Sequence, residues 1–580
     1  MPVTMFDYIF DEATVVDGSG KKSYFADVGI TDEKIQAIGN LKDTSARHRI
    51  DCKDKILCPG FIDVHSHADV IIHDPNHHNI LEPLLRQGIT TFVGGNCGMG
   101  LSPFSDKYRK QAFQYISAFL GKNAESFIHW NTMEQFMEIL SSQGMALNCG
   151  LLVPHGVLRI AVKGLENSTA TPDDIQQMGI LLEQGLDAGA LGMSTGLMYF
   201  PGLAADDDEL LSLASIVSKK SGVFTSHLRS YTNTLQLAID ELVNISLKTG
   251  VKAQISHLFW LPHVNRLVDT ISNWLARFGA KIYQRVKIPI PLDRALNQKL
   301  EHLQILIQQG MPLGMDVMPT GTGFTHALAF FPPWSLQGDY EEVLERFRNK
   351  TTRRKIYKSI MQGQSIWPHR LEDTWSMNFF KIMGFRSIYL MSVVSSKNKQ
   401  YEGKHMVQIG KERNQHPFDA ICDLLLEEEG RVLVFETPTY PGDEFVERSV
   451  YGAIQDANTS IVTDTILLGF GKPSHLFYDC FPKLLSKYVR TEKRLSLEEA
   501  IRKSTSLPAQ QLGIKERGRI KIGYNADLVL FNPKTICSHS TPLKPDVFPE
   551  GIDYVFVNGK AVVTPEGYSP KPYAGKLLTR

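Results

Sequence analysis

The sequence predicts a (β/α)8 barrel accompanied by a small β domain built from both ends of the chain. Short apolar segments alternate with helical patterns from residue 58 to about residue 506, as β-α units of a parallel sheet do. Several of these segments end at a His, Cys or Asp, and a barrel gathers such strand ends on one face. β-rich runs divided by turn residues occupy residues 1–57 and 507–580.

Composition narrows the class of protein. The chain has 580 residues, of which 43% are hydrophobic, so it can bury a large core. Its 62 basic and 62 acidic residues balance, so we expect no nucleic-acid partner. No apolar run approaches the length of a membrane span, and residues 1–18 lack the basic start of a signal peptide. Seven cysteines without a C-x-x-C pair are typical of reduced thiols, so we expect a cytoplasmic protein that does not contact membranes.

The segment from residue 56 to 64 predicts one buried strand, and two histidines follow it. Residues two apart in a strand point to the same side, so His65 and His67 are expected side by side at its C-terminal end. Such a pair is typical of metal ligands, although two surface histidines after a strand give the same pattern.

The rest of the chain continues the alternation. Thr171 followed by Pro172 and two acids is a typical helix start. Residues 264–297 fit the alternation less well and predict an extended loop or insertion, because the prolines at 289 and 291 exclude a central strand. A second insertion is expected around 320–400. Strands are predicted at 89–93, 146–153, 190–193, 223–226, 251–256, 315–319, 387–394, 431–435 and 460–464, and helices at 79–87, 105–120, 132–142, 171–188, 206–219, 233–248, 299–309, 341–362, 417–428 and 496–504.

Strand ends far apart in sequence supply a set of metal-ligand side chains. Imidazole, thiolate and carboxylate are the ligand types of zinc. Each residue alone has a structural explanation, as a buried thiol, a core histidine or a helix cap. Their shared position after predicted strands favours one metal site instead. The residues are His65, His67, Cys97, His227, His257 and Asp464.

These residues lie in segments that resemble the amidohydrolase superfamily, and more closely its N-acyl-D-amino-acid deacylase (D-aminoacylase) branch. The resemblance covers nearly the whole chain. Most relatives with two metals use a carboxylated lysine after the fourth strand, whereas residues 189–196 contain no lysine and Cys97 matches the cysteine ligand of the deacylases. The matching segments are PGFIDVHSH (59–67), GITT (88–91), GNCG (95–98), GMSTGL (192–197), SHLRS (226–230), ISHL (255–258), DVMP (316–319), TSLPA (505–509) and GYNADL (523–528).

The resemblance implies a metal-dependent hydrolase barrel over residues 58–506 and a β-sandwich formed by residues 1–57 and 507–580. It also implies zinc held tightly by Cys97, His227 and His257, and a weaker second position that involves Asp464 and the two histidines of the first barrel strand. Asp464 would then take a proton from the attacking water and give it to the leaving nitrogen. The substrate would be a small molecule, an N-acylated amine.

The chain departs from the deacylases where they bind the free carboxylate of the substrate. Their tyrosine, serine and arginine align here with Met318, Phe324 and His475. A carboxylate site has therefore become more apolar, and we expect a substrate that is neutral on that side. Alternatively, another cation binds the carboxylate; the candidates are Lys472, Arg229 and Arg386.

Two further residues and two further functions stay open. His155 either hydrogen-bonds the substrate carbonyl or is a core histidine, and Arg229 either supports His227 or forms an ion pair at the barrel rim.

A cyclic amide hydrolase of the dihydropyrimidinase type shares the fold, but the missing lysine argues against it. A catalytically inactive binding relative would not need the complete ligand set. The sequence does not indicate an oligomeric state.

Overall fold

The strands form one large barrel, one large antiparallel-rich sheet and a small third sheet. The structure, a computed structural model, describes residues 5–120, 124–261, 266–287, 291–370, 374–541 and 544–580. The strands in chain order are β1 (Phe6–Val15), β2 (Tyr24–Thr31), β3 (Lys34–Gly39), β4 (Ala46–Asp51), β5 (Ile56–Pro59), β6 (Phe61–Asp63), β7 (Ile89–Gly94), β8 (Asn148–Pro154), β9 (Gly192–Gly196), β10 (Val223–His227), β11 (Lys252–Ile255), β12 (Leu313–Val317), β13 (Gly323–His326), β14 (Ile388–Ser392), β15 (Leu433–Glu436), β16 (Thr459–Ile461), β17 (Leu528–Phe531), β18 (Ile552–Val557), β19 (Lys560–Thr564), β20 (Gly567–Tyr568) and β21 (Leu577–Leu578).

The helices begin where the sequence places capping residues. Thr171 accepts from the backbone N–H of Asp174 in a capping box, as the Thr-Pro-Asp-Asp start predicts. No described helix is long and apolar enough to cross a membrane. The helices are α1 (His77–Ile80), α2 (Glu82–Arg86), α3 (Arg109–Ile116), α4 (Met133–Gln143), α5 (His155–Lys163), α6 (Pro172–Asp187), α7 (Asp207–Lys219), α8 (Leu235–Thr249), α9 (Arg266–Arg285), α10 (Arg294–Gln308), α11 (Tyr340–Arg348), α12 (Lys350–Gln362), α13 (Phe379–Ile382), α14 (Met406–Glu412), α15 (Pro417–Glu427), α16 (Glu444–Glu447), α17 (Tyr451–Gln455), α18 (Leu476–Lys483), α19 (Leu497–Ser504) and α20 (Ser506–Leu512).

Within the described residues, eight parallel strands form the predicted barrel. Their order is β6-β7-β8-β9-β10-β11-β12-β16, so the strands follow one another around the barrel in chain order. The first and last strands meet just beyond their ends, where Ser66 pairs in parallel with Thr465. There the backbone N–H of Asp464 donates to the His65 carbonyl at 2.9 Å. The barrel prediction is confirmed, and its closure lies beside the predicted metal ligands.

The predicted β domain is also confirmed and combines both ends of the chain. Its sheet has the order β20-β19-β18-β17-β5-β1-β2-β3, with β4 paired to β1. Phe10, Leu57, Leu528 and Phe556 belong to the buried core of this sheet. The first β-rich run of the chain forms a long strand, β1, interrupted by a bulge at which Glu12 has a φ of 53°.

The prediction of one strand from residue 56 to 64 is wrong, because the chain changes sheets at Gly60. Strand β5 pairs with β1 and β17 in the β domain, whereas β6 pairs with β7 in the barrel. A Cβ atom at Gly60 would lie 2.2 Å from Thr90 Oγ1, so only glycine fits this crossing. Strand β5 extends to Pro59, and the proposed domain limits at residues 57 and 506 stay predictions.

A long insertion between β12 and β16 carries the third sheet, in the order β13-β15-β14. Before β12, residues 266–285 form helix α9, so the prediction of an extended loop is wrong there. The apolar residues of this segment recur at helical spacing, and the prolines that suggested a loop lie beyond the helix end. Residues 262–265 and 288–290 lie outside the described residues.

Candidate metal centre and substrate cavity

The barrel brings the six predicted ligand side chains to one point on its C-terminal face. His227 ends β10, and the other five follow the ends of β6, β7, β11 and β16. All six are at least 90% buried. Their convergence follows from the topology, since parallel strands of a barrel end on the same face. The residues are His65, His67, Cys97, His227, His257 and Asp464.

One group of donors surrounds the thiol of Cys97. Its Sγ lies 3.2 Å from His65 Nε2, 3.6 Å from His227 Nδ1 and 3.5 Å from His257 Nε2. The ring nitrogens of His227 and His257 lie 2.9 Å apart. Two donors bound tetrahedrally to one zinc ion lie roughly 3.3–3.6 Å apart, given bond lengths of about 2.0–2.3 Å. The three distances to the thiol are close to this range, whereas the two ring nitrogens, at 2.9 Å, lie closer together than two ligands of one zinc ion would.

A second group shares His65 with the first. Asp464 Oδ1 lies 3.5 Å from His65 Nε2 and 3.3 Å from His67 Nε2. The same Oδ1 is buried and has no hydrogen-bond partner among the described residues. A buried carboxylate oxygen of this kind needs a positive partner, which a metal ion supplies. The two groups meet the donor chemistry of a one- or two-metal centre.

Three of these residues have backbone conformations that L-residues seldom adopt. Cys97 has a φ of 54°, His257 of 32° and Asp464 of 55°. Left-handed conformations at non-glycine residues are strained and persist where surrounding structure enforces them. Here the turn after each strand directs the side chain back over the barrel mouth.

Two buried aspartates hold the strand ends in position. Asp316 Oδ1 accepts the backbone N–H of His257 at 2.5 Å and lies 3.5 Å from His65 Nδ1, while its Oδ2 accepts from Gln254 Nε2 at 2.9 Å. Asp63 accepts both the backbone N–H and the hydroxyl of Thr463, the residue before Asp464. The sequence alone indicated no role for either aspartate.

The charges of the cluster depend on one another. Burial raises the pKa of the Cys97 thiol, but His65 and His227 lower it more, and the result is well below the usual value. Burial likewise raises the pKa of Asp464, whereas His65 and His67 lower it, and the balance is below the usual value. Thiolate and carboxylate are therefore the favoured forms, as metal binding requires.

The cluster opens into two connected cavities. The inner one, of about 30 Å³, is lined by ligands and by apolar side chains such as Phe119, and has room for about one water. The outer one, of about 130 Å³, is mostly apolar. His257, Phe259 and Met318 line both. Among the described residues that line them, there is no lysine or arginine.

The residues aligned with the deacylase carboxylate site lie in different places. Met318 lines both cavities, and Phe324 lines the inner one and packs edge-on against Phe477 at 5.3 Å. His475 lines neither; its Nε2 lies 3.2 Å from Lys483 Nζ, and Lys483 is paired with Glu447 at 2.5 Å. Burial, and then Lys483, lower the pKa of His475 to about 3.

The alternative cations also lie outside both cavities. Arg229 contacts Glu241 at 3.0 Å and donates to the carbonyls of Leu203 and Ala205. Lys472 lines a separate cavity, and Arg386 is exposed.

His155 is buried, and its Nε2 contacts Glu209 Oε1 at 2.7 Å. This arrangement is the one expected of a core histidine.

The sequence did not indicate one carboxylate of the cavity, that of Glu436. Glu436 ends β15 and lines both cavities together with Gly323 and Phe379. The sequence predicted a strand there, but a strand prediction does not tell which cavity its last residue faces. The partner strand β13, on which Gly323 lies, was not predicted.

Comparison with known proteins agrees with this geometry. The profile of the Amidohydrolase family matches residues 454–563. D-aminoacylase from Alcaligenes xylosoxydans xylosoxydans is 25% identical over 99% of this chain and 98% of its own length. The chain is similar to the D-aminoacylase branch of the amidohydrolase superfamily over nearly its whole length. N-acyl-D-glutamate deacylase from the same bacterium is 27% identical to this amidohydrolase, over 99% of this chain and 96% of its own.

Solved structures show the same fold. A D-aminoacylase described by its binuclear metal centre is 25% identical, covers 99% of this amidohydrolase and 100% of its own chain, and has a TM-score of 0.75. N-acyl-D-glutamate deacylase from Bordetella bronchiseptica, solved with zinc and a phosphonate inhibitor, is 24% identical with a TM-score of 0.74 over 99% of this chain and 100% of its own. This amidohydrolase is a metal-dependent enzyme of the class that hydrolyses carbon–nitrogen bonds.

Proposed function

We propose that this amidohydrolase is a zinc enzyme that hydrolyses the amide bond of an N-acylated amine or amino-acid derivative, and that free N-acyl-D-amino acids are poor substrates. One observation carries the proposal. The buried donor cluster, with Asp464 in its ionised form, faces cavities that have no lysine or arginine among their described lining residues. The site is thus equipped for hydrolysis but not for binding an anion.

The zinc ligands we propose are Cys97, His227 and His257 at the tighter position, with His65, His67 and Asp464 at a second. A bound zinc ion would polarise the scissile carbonyl and lower the pKa of water from about 16 towards 7. Asp464 removes a proton from the attacking water and delivers it to the nitrogen as the carbon–nitrogen bond breaks. The products are a carboxylic acid and an amine. Before zinc binds, His65 and His67 lower the pKa of Asp464 and so favour its ionised form.

The apolar replacements support the exclusion of a free carboxylate. Charge-assisted hydrogen bonds contribute about 1.5–3 kcal/mol each, which corresponds to roughly a tenfold to hundredfold loss of affinity when one is absent. Met318 and Phe324 offer no such bond, and the Lys483 that approaches His475 is already paired with Glu447. A small molecule with a neutral group on this side, such as an ester or amide, fits better. A cytoplasmic location is part of the proposal, supported by the free cysteines, most of them buried.

A panel of substrates tests this proposal. The zinc-loaded enzyme is assayed with N-acetyl-D- and L-amino acids, their methyl esters and amides, and cyclic amides such as dihydrouracil. We expect turnover of esters or amides to exceed that of the free acids by at least about tenfold in kcat/KM. Efficient turnover of the free acids would refute the substrate proposal. Turnover of cyclic amides alone would favour the dihydropyrimidinase-type alternative, and a metal-free, inactive protein would favour the binding relative.

A further inference from the structure

A partly buried carboxylate lines the substrate cavity, and one of its oxygens has no donor among the described residues. Glu436 lines the inner cavity beside Cys97 and Asp464, and also the outer one. Its Oε2 atom is buried and accepts no hydrogen bond from any residue that the structure describes. A buried oxygen without a donor is destabilising, so a ligand that supplies one is favoured.

Gly323 makes room for this carboxylate. It lies opposite Glu436 in the antiparallel pair of β13 and β15. A Cβ atom at position 323 would lie 2.3 Å from Glu436 Oε1 and 2.7 Å from its Cγ. Any other residue at 323 would therefore displace the carboxylate from its present position.

No basic side chain of the insertion or of the barrel is paired with Glu436 in the cavity linings that the structure describes. Neither cavity has a described lysine or arginine in its lining, and Asp464, which carries the same sign, lies nearby. Burial, and then the charge of Asp464, raise the pKa of Glu436 to about 8. A cation or N–H donor placed beside the carboxylate would offset this penalty.

We propose that Glu436 binds an N–H donor of the substrate, the NH2 of a carboxamide or a protonated amine, on the side where deacylase substrates carry a free carboxylate. The preferred substrate is then an N-acylated amine with a second nitrogen near the scissile bond. This inference rests on the proposed amide hydrolysis and names the group that takes the place of the carboxylate.

Four matched substrates test the inference in the zinc-loaded enzyme. Each is an N-acetylated leucine-like amine, and the four compounds differ only in the group that replaces the carboxylate of leucine. That group is a carboxamide, an aminomethyl group, a methyl ester or the free carboxylate itself. Each compound is tested in both chiral forms. We expect the better of the two N–H donors to exceed the ester by about tenfold or more in kcat/KM, and the free acid to be worst.

One variant removes the charge of the Glu436 carboxylate, and a second displaces the carboxylate from its position. Glu436→Gln keeps the shape but not the charge, so kcat/KM should fall about tenfold for the aminomethyl substrate and remain within about threefold for the ester. At pH 9, where Glu436 with its pKa of about 8 is mostly ionised, the free acid should improve because repulsion is relieved. Gly323→Ala should weaken both N–H donor substrates without changing any charge. Glu402→Gln, in the same insertion but lining neither cavity, serves as the control. Zinc content and melting temperature are measured for each variant.

Equal losses for all four substrates in Glu436→Gln would overturn the inference, since Glu436 would then act in the chemical step or in folding. An ester as good as both N–H donors in the wild type would overturn it too. If the wild type hydrolyses none of the four, the proposed amide hydrolysis fails instead. Calorimetry then decides the inference separately: D- or L-N-acetylleucinamide must bind the wild type more tightly than the N-acetylleucine methyl ester of the same chirality does, and Glu436→Gln must reduce the difference.

Discussion

The substitution Asp316→Asn tests a residue that would affect zinc affinity by positioning the metal ligands. The Asp316 carboxylate accepts the backbone N–H of His257 and the amide of Gln254, and lies 3.5 Å from His65 Nδ1. Asparagine keeps the size but provides only one acceptor oxygen for these groups. One donor must therefore lose its partner, or face the new NH2 group.

The expected loss of zinc affinity follows from this missing acceptor. A buried donor left without an acceptor costs about 1–3 kcal/mol. Mutation of a group that orients a metal ligand typically weakens metal affinity by about tenfold to a hundredfold. Because His257 is held at a φ of 32° while Asp316 accepts its N–H, weakening this bond should let the ligand move. We therefore expect a tenfold to hundredfold weaker zinc affinity, with activity partly restored by excess zinc.

The assay is zinc content after dialysis against a series of zinc–chelator buffers, with kcat/KM measured at saturating zinc. Asp456→Asn is the matched control. Asp456 is also buried and accepts from Asn458 and Thr459, but it lies before β16, at the other end of the barrel. The Asp456→Asn enzyme should be less stable than the wild type but should bind zinc with the same affinity. An Asp316→Asn enzyme that binds zinc within about twofold of the wild type would refute the reasoning.

Three further predictions concern the ligands and one buried lysine. Asp464→Asn should retain zinc at the Cys97 position but lose about 10²–10⁴-fold in kcat, which zinc analysis and steady-state kinetics check together; a loss below tenfold would exclude Asp464 as the base. Cys97→Ala should lose zinc and activity together, and readdition of zinc after chelation should restore only the wild type. Burial lowers the pKa of Lys503 to about 7, so unfolding takes up a proton between pH 7 and the usual lysine value near 10.4, and stability rises with pH in that window. Relative to Lys503→Met, the wild-type unfolding free energy should gain about 1.4 kcal/mol per pH unit between pH 8 and 9, and equal slopes in denaturant titrations would contradict this.

The convergence of the six proposed ligand side chains could be predicted because their signal is local. Each ligand stands just after a short apolar strand, and the parallel barrel then dictates that distant strand ends meet. The split at Gly60 could not be predicted in the same way. The apolar pattern continues through it, and the reason for the break is contact with Thr90, a residue that only the fold brings near.

The supporting and substrate-facing residues depend on pairings that sequence pattern does not show. Asp316 lies within a predicted strand, but its contacts come from β11 and from the residues that follow β11 and β6. Glu436 faces the cavity because β15 pairs with β13 in one register, with Gly323 opposite it. A shift of that register by one residue would turn Glu436 to the other face of the sheet.

The two halves of the site are built by different parts of the chain, and this division explains how the substrate could change without loss of the metal centre. All six proposed ligands belong to the barrel strands and their closing turns, where each is fixed by parallel pairing or by a buried aspartate. Phe324 and Glu436 belong instead to the insertion between β12 and β16, whose sheet is separate from the barrel sheet. Substitutions in that insertion alter the polarity of the cavity while the donor distances stay those of the barrel. Exchange of residues in β13 and β15 is therefore expected to change which acylated amine is accepted, and zinc affinity should be insensitive to it.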